Sequence, residues 1–486
     1  MSSNEVLLIR PDPGNERFGL GPFFRVEPLG LEYVAAAFEQ SGATVSVVDG
    51  RYDNAGAAVR KSRARLYGIS CMHALEYDRT LDLAREIRRR SPDAVVIVGG
   101  HAASAYPGPL EVPEVDAISL GDGEVVATPL MEVVEGRRAI ETVPDLRVRT
   151  CDGWTETRRT EESIDLDLVP LPARDPVRRY RHKYHCLLFK PVWLVETARG
   201  CPFRCNFCSV WSLYQRTFRE RSIGRVVEDM EAVGEHVFIV DDLFWGQAER
   251  SLALAHELRA RRVRKRWILV QTRTDVVERH PELLEAWRPI AQDFDIFFGF
   301  ESPSDAGLDR LTKDATLAQT VEAARIARSL GYGVTGNFVV DPDWGHHEFQ
   351  ELWDFVAAHG FERAGYTILT PLPGTDLYGE KEDQLGSPPW YKFDMHHALW
   401  EPRLGPQRFF DLYAETWRRS ILNLGGKKRW RDWAVQVRAS QIPYLTRVLL
   451  RTQRMMRSSA YLSEHETSEG RERSGATNRA ERVPQS

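Results

Sequence analysis

The stretch Val192-Trp-Leu-Val-Glu-Thr-Ala-Arg-Gly-Cys-Pro-Phe-Arg-Cys-Asn-Phe-Cys208 places a short apolar segment directly before three closely spaced cysteines. Its first four residues, 192–195, are apolar enough for a buried strand. Thiolates bind zinc ions and iron–sulfur clusters. Cys201, Cys205 and Cys208 are therefore the predicted metal ligands, and three ligands leave one position of a four-coordinate site open.

The spacing of these cysteines also bears on which metal they bind. A structural zinc site usually takes four ligands in two pairs, and the sequence has no second Cys-x-x-Cys. Cys186, with His182 and His185, offers a fourth ligand, and a zinc-stabilised scaffold without catalysis is the rival hypothesis. Three unligated thiols so close together would be prone to oxidation. The spacing favours a four-iron four-sulfur cluster with three cysteine ligands.

The composition is that of a globular chain. The 486 residues are 42% hydrophobic and 28% charged, which predicts two or three domains. The net charge of −5 provides no basic field for binding nucleic acid. The first residues lack a secretion signal, and no apolar run approaches the roughly 20 residues of a membrane span. The six cysteines do not resemble a disulfide framework, so we expect a cytoplasmic protein.

Residues 1–140 alternate between apolar strands and amphipathic helices. The predicted strands are Val6–Ile9, Val45–Val48, Leu66–Ile69, Ala94–Val98 and Ala117–Leu120. Repeated strand–helix units predict a doubly wound parallel sheet, which binds ligands at the carboxyl ends of its strands. Those ends carry Ser70, Gly99, Gly100 and Gly121, and glycine there admits a large flat or phosphate-bearing ligand. Ordinary βα turns are the alternative, and a dinucleotide is disfavoured because no Gly-x-Gly-x-x-Gly follows the first strand.

Residues 141–185 are predicted to be a connector between domains. They are rich in proline and arginine and show little periodicity, and the arginines between Arg174 and Arg181 are interpreted as a solvated face. The strand–helix alternation resumes over residues 186–380 and yields about six units. Six units are too few to close a barrel of eight, so a partial barrel is predicted. Its active site should lie at the carboxyl ends of its strands.

The motif Cys-x-x-x-Cys-x-x-Cys, with the aromatic Phe207 before its last cysteine, resembles the radical S-adenosylmethionine superfamily. The resemblance implies that S-adenosylmethionine binds the fourth iron, and that one electron from the cluster cleaves it to a 5′-deoxyadenosyl radical. It also implies a set of contacts with S-adenosylmethionine. These are Phe207 beside the adenine, Asp241 on the methionyl amine, Glu301 and Ser302 near the ribose, and Asn337 on a later strand.

Four motifs of the first segment are similar to those of the cobalamin-binding members of that superfamily. They are Pro28–Leu31, Gly68–Ser70, Gly99–Ala102 and Gly121–Glu124. The resemblance implies a flavodoxin-like cobalamin domain. Its implied cobalamin contacts are Ser70, Gly99, Gly100 and Gly121. The Asp-x-His-x-x-Gly motif that gives cobalt a histidine ligand is absent, so cobalamin either binds without that histidine or has been lost from the domain.

The stretch Tyr184–Tyr214 is most similar to hopanoid C-3 methylases. This implies a cobalamin-dependent methyltransferase that acts on an unactivated carbon of a lipid-like hopanoid or of a secondary metabolite. A cyclase or rearrangement enzyme, for example one that forms a cyclopropane, is the alternative. The implied cofactors are a 4Fe-4S cluster, S-adenosylmethionine and cobalamin, with a small molecule as substrate and flavodoxin or ferredoxin as reductant. No side chain is assigned as a catalytic acid, base or radical quencher.

Residues 381–457 are aromatic-rich and predicted to be helical. The aromatic residues are interpreted as the core of a helical cap, with a hydrophobic lid over an apolar substrate as the alternative. Residues 427–457 hold nine basic residues against the single acid Asp432, interleaved with apolar ones. They are predicted either to rest on the inner face of the membrane or to form a solvated helical face. Residues 458–486 are polar and predicted to be disordered.

Overall fold

The structure, a computed structural model, describes residues 5–14, 18, 21–160, 164–361, 364–422 and 442–465. Apolar runs rich in β-branched residues, such as residues 95–98, form buried strands of its two larger sheets, and amphipathic segments form many of its helices. Its strands are β1 Glu5–Arg10, β2 Phe24–Arg25, β3 Thr44–Asp49, β4 Leu66–Ser70, β5 Val95–Gly99, β6 Ala117–Ser119, β7 Leu146–Thr150, β8 Gly153–Glu156, β9 His185–Cys186, β10 Trp193–Val195, β11 Ala198–Gly200, β12 Phe218–Glu220, β13 His236–Ile239, β14 Lys265–Thr272, β15 Ala291–Glu301, β16 Gly333–Val340 and β17 Gly365–Ile368. Its helices are α1 Leu29–Gln40, α2 Ala55–Lys61, α3 Tyr77–Arg90, α4 His101–Ala105, α5 Ala127–Val134, α6 Val210–Leu213, α7 Ile223–Ala232, α8 Ala248–Ala260, α9 Thr274–Arg279, α10 Pro281–Trp287, α11 Asp305–Arg310, α12 Leu317–Ser329, α13 His346–His359, α14 Asp376–Leu385, α15 Pro406–Leu422 and α16 Ile442–Met455.

The first sheet has the strand order β3-β1-β4-β5-β6-β7-β8. Its strands from β3 to β6 are parallel and follow the flavodoxin-like order, with the topological switch point between β1 and β4. The predicted doubly wound fold is confirmed. Residues 141–185, predicted to be a connector, are not irregular throughout. Strands β7 and β8 pair antiparallel at the edge of this sheet and so belong to the first domain.

The second sheet has the strand order β10-β13-β14-β15-β16-β17, and every neighbouring pair is parallel. This arrangement confirms the predicted partial barrel of six strands. Leu194, Trp267 and Leu269 of the barrel form an apolar cluster to which Leu29 and Tyr33 of α1 also belong. The first domain therefore packs directly against the barrel strands, and the two domains share part of their core.

Two arginines of the connector do not lie on the solvated face that was expected. Arg174 donates to Glu27 at 2.9 Å and to Asp229 of α7 at 2.8 Å, and both carboxylates are buried. Arg181 also pairs with Glu27, and its guanidinium lies 3.6 Å from the ring centroid of Trp193. Buried carboxylates require a paired cation. The prediction is therefore wrong for these two arginines, which join the first domain to the barrel.

The C-terminal residues form a helical cap on the barrel. Phe409, Phe410 and Tyr413 of α15 are buried in the main apolar cluster of the barrel, which confirms that these aromatics are core residues. Residues 458–465 form one further short helix after α16, and its fully buried Tyr461 stacks on Phe410 with ring centroids 5.3 Å apart. The prediction of disorder is therefore wrong for this short helix.

Other parts of the C-terminal prediction lie outside the described residues. Residues 466–486, and residues 427–441 of the basic segment, are among them. The described remainder of the basic segment is mostly α16. In the described ranges, no helix combines the length and the apolar character that crossing a bilayer requires.

Candidate active site

The cysteine loop leaves and re-enters the barrel through a two-stranded antiparallel pair. Strand β11, which ends at Gly200, pairs with β12. Gly200 has a φ of +93°, and a Cβ there would lie 2.2 Å from the carbonyl oxygen of Thr217, so this position requires glycine. The N–H of Gly200 donates to Asp242 Oδ2 at 2.9 Å. The start of the loop, at Cys201, is thereby fixed to the carboxyl end of β13.

The second cysteine lies at the centre of a network that ties the loop to the barrel rim. The carbonyl of Cys205 accepts hydrogen bonds from the N–H of Cys208 at 3.1 Å and from Nε1 of Trp211 at 3.0 Å. The N–H of Asn206 donates to the carbonyl of Leu311 at 3.2 Å. The carbonyl of Asn206 accepts from the first turn of α14. The segments that follow β15 and β17 therefore hold the loop in place.

The cysteine group comprises Cys201, Cys205 and Cys208 of this loop, of which Cys205 is buried and the other two are partly buried. Burial raises the pKa of each thiol, that of Cys208 to about 12. Burial above all, and more weakly the charges of Cys205 and Cys201, raise the pKa of Cys208. A bound metal cluster offsets this effect because its positive charge stabilises thiolates. Three cysteines on one short loop fit a cluster that keeps one iron open to another ligand, although among the described residues no three His, Cys, Asp or Glu side chains already lie close enough together to hold a metal ion.

Two buried cations beside Cys205 are absent from the residues predicted from the sequence. Arg273 Nη1 lies 3.9 Å from Cys205 Sγ, and its guanidinium lies 3.7 Å from the ring centroid of Phe203. Lys313 Nζ donates to Glu301 Oε1 at 2.9 Å, in a pair that is almost fully buried. Burial raises the pKa of Cys205, whereas Lys313 and Arg273 lower it. Their position in the loops after β14 and β15 is the signal that could have identified them.

Glu301 and Ser302 stand where β15 ends, as predicted. The register of β15 shifts between Gly299 and Glu301, and Glu301 has a φ of +61°, a strained value for a residue with a side chain. Burial raises the pKa of Cys205, and the Glu301 carboxylate does so more weakly. Glu301 is linked to Cys205 through Lys313, whose carbonyl accepts a hydrogen bond from Arg273, and Arg273 Nη1 lies 3.9 Å from Cys205 Sγ. Ser302 is buried and occupies the space that a Cβ on Gly307 would fill. The structure therefore brings Glu301 to the cysteine group.

The two aspartates after β13 have different surroundings. Asp241, predicted to bind the methionyl amine, is 2% exposed and accepts hydrogen bonds from Thr197 N–H at 2.6 Å and Thr197 Oγ1 at 2.5 Å. Burial raises the pKa of Asp241 to about 7. Asp242 instead accepts a hydrogen bond from the N–H of Gly200. Burial raises the pKa of Cys201, and the charge of Asp242 raises it further, though more weakly. The carboxylate that the structure brings to the cysteine group is Asp242 rather than Asp241.

Phe207 and Asn337 occupy separate parts of the site region. Phe207 is half-buried against an apolar cluster that includes Leu377 of α14 and Cys71 of the first domain, so it lies where the two domains meet. Asn337 lies in β16, and its Nδ2 donates to Thr367 Oγ1 on the neighbouring strand at 2.8 Å. The contacts of both residues with S-adenosylmethionine stay predictions.

The predicted cobalamin residues lie at adjacent strand ends of the first sheet. Ser70 ends β4 and pairs in register with Gly99, which ends β5, and Gly121 follows β6. A Cβ on Gly99 or Gly121 would meet no atom of the protein closer than 3.5 Å, so the surrounding protein does not itself require glycine there. Gly100 differs, because its φ of +115° and the nearby carbonyl of Cys71 require glycine for the turn. The space beside Gly99 and Gly121 fits a large group that approaches the backbone.

Ser119 adds a polar group to this edge that was not predicted from the sequence. Its Cβ lies 3.5 Å from where a Cβ on Gly99 would be. Its hydroxyl oxygen is buried and has no hydrogen-bond partner among the described residues. Such a group costs about 1–3 kcal/mol of stability. A polar ligand beside Gly99 would remove that cost, so Ser119 fits the edge of the same cofactor site.

The two groups of residues face each other across the boundary between the domains. His101 follows β5, and its Nε2 lies 2.6 Å from Oγ of Ser209, the residue after Cys208. Tyr106 of the first domain contacts Tyr378 of α14, with ring centroids 5.5 Å apart. The glycine-lined edge and the cysteine loop therefore share one interface, where two cofactors could act on the same substrate.

Two family models match the two domains. The B12 binding domain matches residues 22–130, and the radical SAM superfamily matches residues 195–356. The hopanoid C-3 methylase of Methylococcus capsulatus is 31% identical over 401 residues, which cover 81% of this chain and 76% of the relative. The chain belongs to the cobalamin-dependent radical S-adenosylmethionine methyltransferases. Membership favours the iron–sulfur cluster over a zinc-stabilised scaffold.

Solved structures of cobalamin-dependent radical enzymes share the fold of this methyltransferase. OxsB, a cobalamin-dependent S-adenosylmethionine radical enzyme with aqua-cobalamin bound, has a TM-score of 0.70 at 15% identity and covers 94% of this chain and 72% of its own. The methyltransferase TsrM from Kitasatospora setae, with cobalamin and a [4Fe-4S] cluster bound, has a TM-score of 0.66 at 18% identity and covers 79% of this chain and 75% of its own. The cofactors of the methyltransferase are a 4Fe-4S cluster, S-adenosylmethionine and cobalamin, as predicted.

Proposed function

We propose that this methyltransferase methylates an unactivated carbon of a polycyclic lipid of the hopanoid class. The observation that carries the proposal is the 31% identity with a hopanoid C-3 methylase along 81% of the chain, a length that includes both domains. When bound, the cluster and S-adenosylmethionine supply a hydrogen-abstracting radical, and cobalamin supplies the methyl group. The protein holds these groups and the substrate together at the domain interface.

In this proposal the barrel rim positions S-adenosylmethionine. The three cysteines hold three irons of the cluster. Asp242 takes the role first predicted for Asp241, because its carboxylate lies beside the start of the cysteine loop. Glu301, kept in place by Lys313, faces the same group. The remaining proposed contacts are Phe207, Ser302 and Asn337.

The first domain positions cobalamin. Gly99 and Gly121 let the corrin approach the backbone, since neither glycine is needed for packing within the protein. Ser70 and Ser119 supply hydroxyl groups at the same edge of the sheet. Gly100, with its positive φ, forms the turn that follows β5.

The substrate class is tested in an anaerobic assay with the full chain reconstituted with iron, sulfide and cobalamin. Reduced flavodoxin or ferredoxin, which we propose as the natural type of reductant, supplies electrons. A hopanoid that lacks the methyl group is the substrate, and extracted lipids are identified by mass spectrometry. We expect one added methyl group per hopanoid, with none formed by the Cys205→Ala control. Methylation of a non-lipid metabolite while the hopanoid stays unchanged would reject the lipid class.

The exposed face of α16 supports contact with a membrane. Ile442 and Leu450 are 55% and 59% exposed. Arg447 and Arg454 lie within about one helical turn of Leu450. Apolar side chains flanked by basic ones are typical of helices that lie on anionic bilayers. We propose that this part of the predicted segment 427–457 brings the enzyme to a lipid substrate.

Vesicle co-sedimentation tests the membrane contact. Vesicles that contain anionic phospholipid should bind more protein than vesicles of phosphatidylcholine alone, because the basic side chains interact with anionic headgroups. Leu450→Glu should weaken binding about tenfold or more, given the apolar area lost from the bilayer. Leu168→Glu, at a position that is 75% exposed elsewhere, is the matched control and should bind like the wild type. If Leu450→Glu bound the anionic vesicles as well as Leu168→Glu does, the contact would be rejected.

A further inference from the structure

Arg199, two residues before Cys201, is buried at the boundary between the domains. Its guanidinium donates to Asp122 Oδ1 at 2.8 Å and to Glu124 Oε1 at 2.6 Å, and its Nε donates to Glu196 at 2.8 Å. The Arg199 side chain is 7% exposed. Asp122 and Glu124 belong to the loop after β6, which is one of the two proposed cobalamin loops. A single side chain thus joins the cysteine loop to a cobalamin loop.

Two further contacts fasten the same loops together. Arg219 of β12 donates to Asp122 Oδ2 at 2.6 Å. Beyond the last cysteine, Ser209 Oγ lies 2.6 Å from Nε2 of His101, in the loop after β5. Ser209 directly follows Cys208, whereas Arg199 precedes the first cysteine. The cysteine loop is therefore fastened at both of its ends to the two loops that are proposed to hold cobalamin.

Stability alone gives no reason to keep such a group of charges at this boundary. Replacing a buried ion pair with apolar residues is often neutral or even stabilising. The planar fork of an arginine, however, fixes the direction of two carboxylates at once. Reacting groups must approach to about 3–3.5 Å, and a misplacement of about 1 Å slows a reaction about a hundredfold. When the reacting groups are held on two domains, a rigid link between their loops meets this requirement.

We propose that Arg199 and His101 are positioning residues that set the distance between cobalamin and the iron–sulfur cluster. The inference rests on the proposed cobalamin loops and cluster ligands. Both side chains act through the loops that they join. Weakening either contact should therefore leave both cofactors bound and S-adenosylmethionine cleavage active. Methyl transfer, which needs the two sites in register, should lose efficiency.

The test uses holoenzyme variants Arg199→Lys and His101→Leu. Lysine keeps the positive charge at position 199, so the carboxylates are not left without a cation. It has no planar fork, however, and so cannot bridge two carboxylates as arginine does. Arg261→Lys, at a position that is 58% exposed on the barrel surface, is the matched control. Pulsed electron paramagnetic resonance measures the distance between cob(II)alamin and the reduced cluster. The ratio of methylated hopanoid to deoxyadenosine is measured in a separate turnover assay.

We expect full iron and corrin content in every variant. The distance distribution should broaden or lengthen in Arg199→Lys and His101→Leu and stay as in the wild type in Arg261→Lys. Methylated product per deoxyadenosine should fall about ten- to a hundredfold in the first two variants. A wild-type distance distribution in both, or loss of cobalamin or iron from both, would overturn the inference. Because the distance is measured without substrate, a wrong substrate assignment shows itself separately, as a wild-type enzyme that does not methylate the hopanoid.

Discussion

Replacing Asp241 and Asp242 one at a time separates a structural carboxylate from a functional one. Asp241→Asn keeps the size of a side chain enclosed against Thr197, and an amide can still make both hydrogen bonds. Asp242→Asn removes the charge beside the cysteine loop. We expect Asp241→Asn to retain S-adenosylmethionine binding. Asp242→Asn should weaken it about tenfold or more, because a hydrogen bond to a charged group contributes about 1.5–3 kcal/mol.

The pKa of Asp241 sets the size of a second effect, on stability. Burial raises the pKa of Asp241 from 3.8 to about 7, so the folded carboxyl keeps a proton that the unfolded chain has already lost. The stability that this proton contributes is complete below about pH 4 and is lost as the pH rises through about 7. Between about pH 6 and pH 8 the loss is about 1.4 kcal/mol. Asp242, whose pKa burial raises to about 6, adds about 0.4 kcal/mol over the same range.

Urea unfolding of the wild type and both variants at the two pH values measures this effect. Asparagine does not ionise. When the pH is raised from about 6 to about 8, the free energy of unfolding of Asp241→Asn should therefore fall by about 1.4 kcal/mol less than that of the wild type. Binding of S-adenosylmethionine is followed through the paramagnetic resonance spectrum of the reduced cluster. Equal pH sensitivity of the wild type and Asp241→Asn would refute the argument from burial. Loss of binding in Asp241→Asn alone would refute the assigned roles.

Two further substitutions test the domain boundary and the cofactor edge. Arg174→Met should lower the free energy of unfolding by about 3–5 kcal/mol in urea titrations, because it leaves buried carboxylates without their cation. Arg179→Met, at a side chain that is 56% exposed, should change it by less than about 0.5 kcal/mol, and similar losses in both would contradict the pairing. Gly121→Ala should leave the apoprotein folded, since its Cβ has room, yet lower cobalamin uptake about tenfold or more by corrin absorbance, and wild-type uptake would exclude a corrin from this edge.

Most of the fold could be predicted because buried parallel strands are continuous apolar runs. The β7–β8 hairpin is missed because β7, Leu146–Thr150, alternates apolar residues with arginine at the edge of the sheet. Asp152 in the turn and Gly153, which begins β8, form a pair that is typical of tight hairpins and could have revealed it. The helix at residues 458–465 is missed for a different reason, since a single buried tyrosine, Tyr461, provides much of its apolar contact.

The cysteine ligands could be predicted because they are neighbours in the sequence, whereas other site residues depend on contacts between distant segments. Successive residues of an extended strand end point in opposite directions, so the sequence does not decide between Asp241 and Asp242. The partners of Arg174 lie 147 and 55 residues away, and its own segment resembles any solvated basic stretch. Arg273 and Lys313 likewise come near Cys205 only when the loops after β14 and β15 are brought to the same rim of the barrel.

Cobalamin-dependent radical methylation by this chain is tested most directly by following the label from methyl-deuterated S-adenosylmethionine. The reconstituted holoenzyme is reduced and supplied with a hopanoid, and every product is quantified in the same reaction. We predict equal amounts of S-adenosylhomocysteine, deoxyadenosine and methylated product, with the deuterated methyl group in that product. Formation of deoxyadenosine with neither S-adenosylhomocysteine nor a labelled product would contradict methyl transfer.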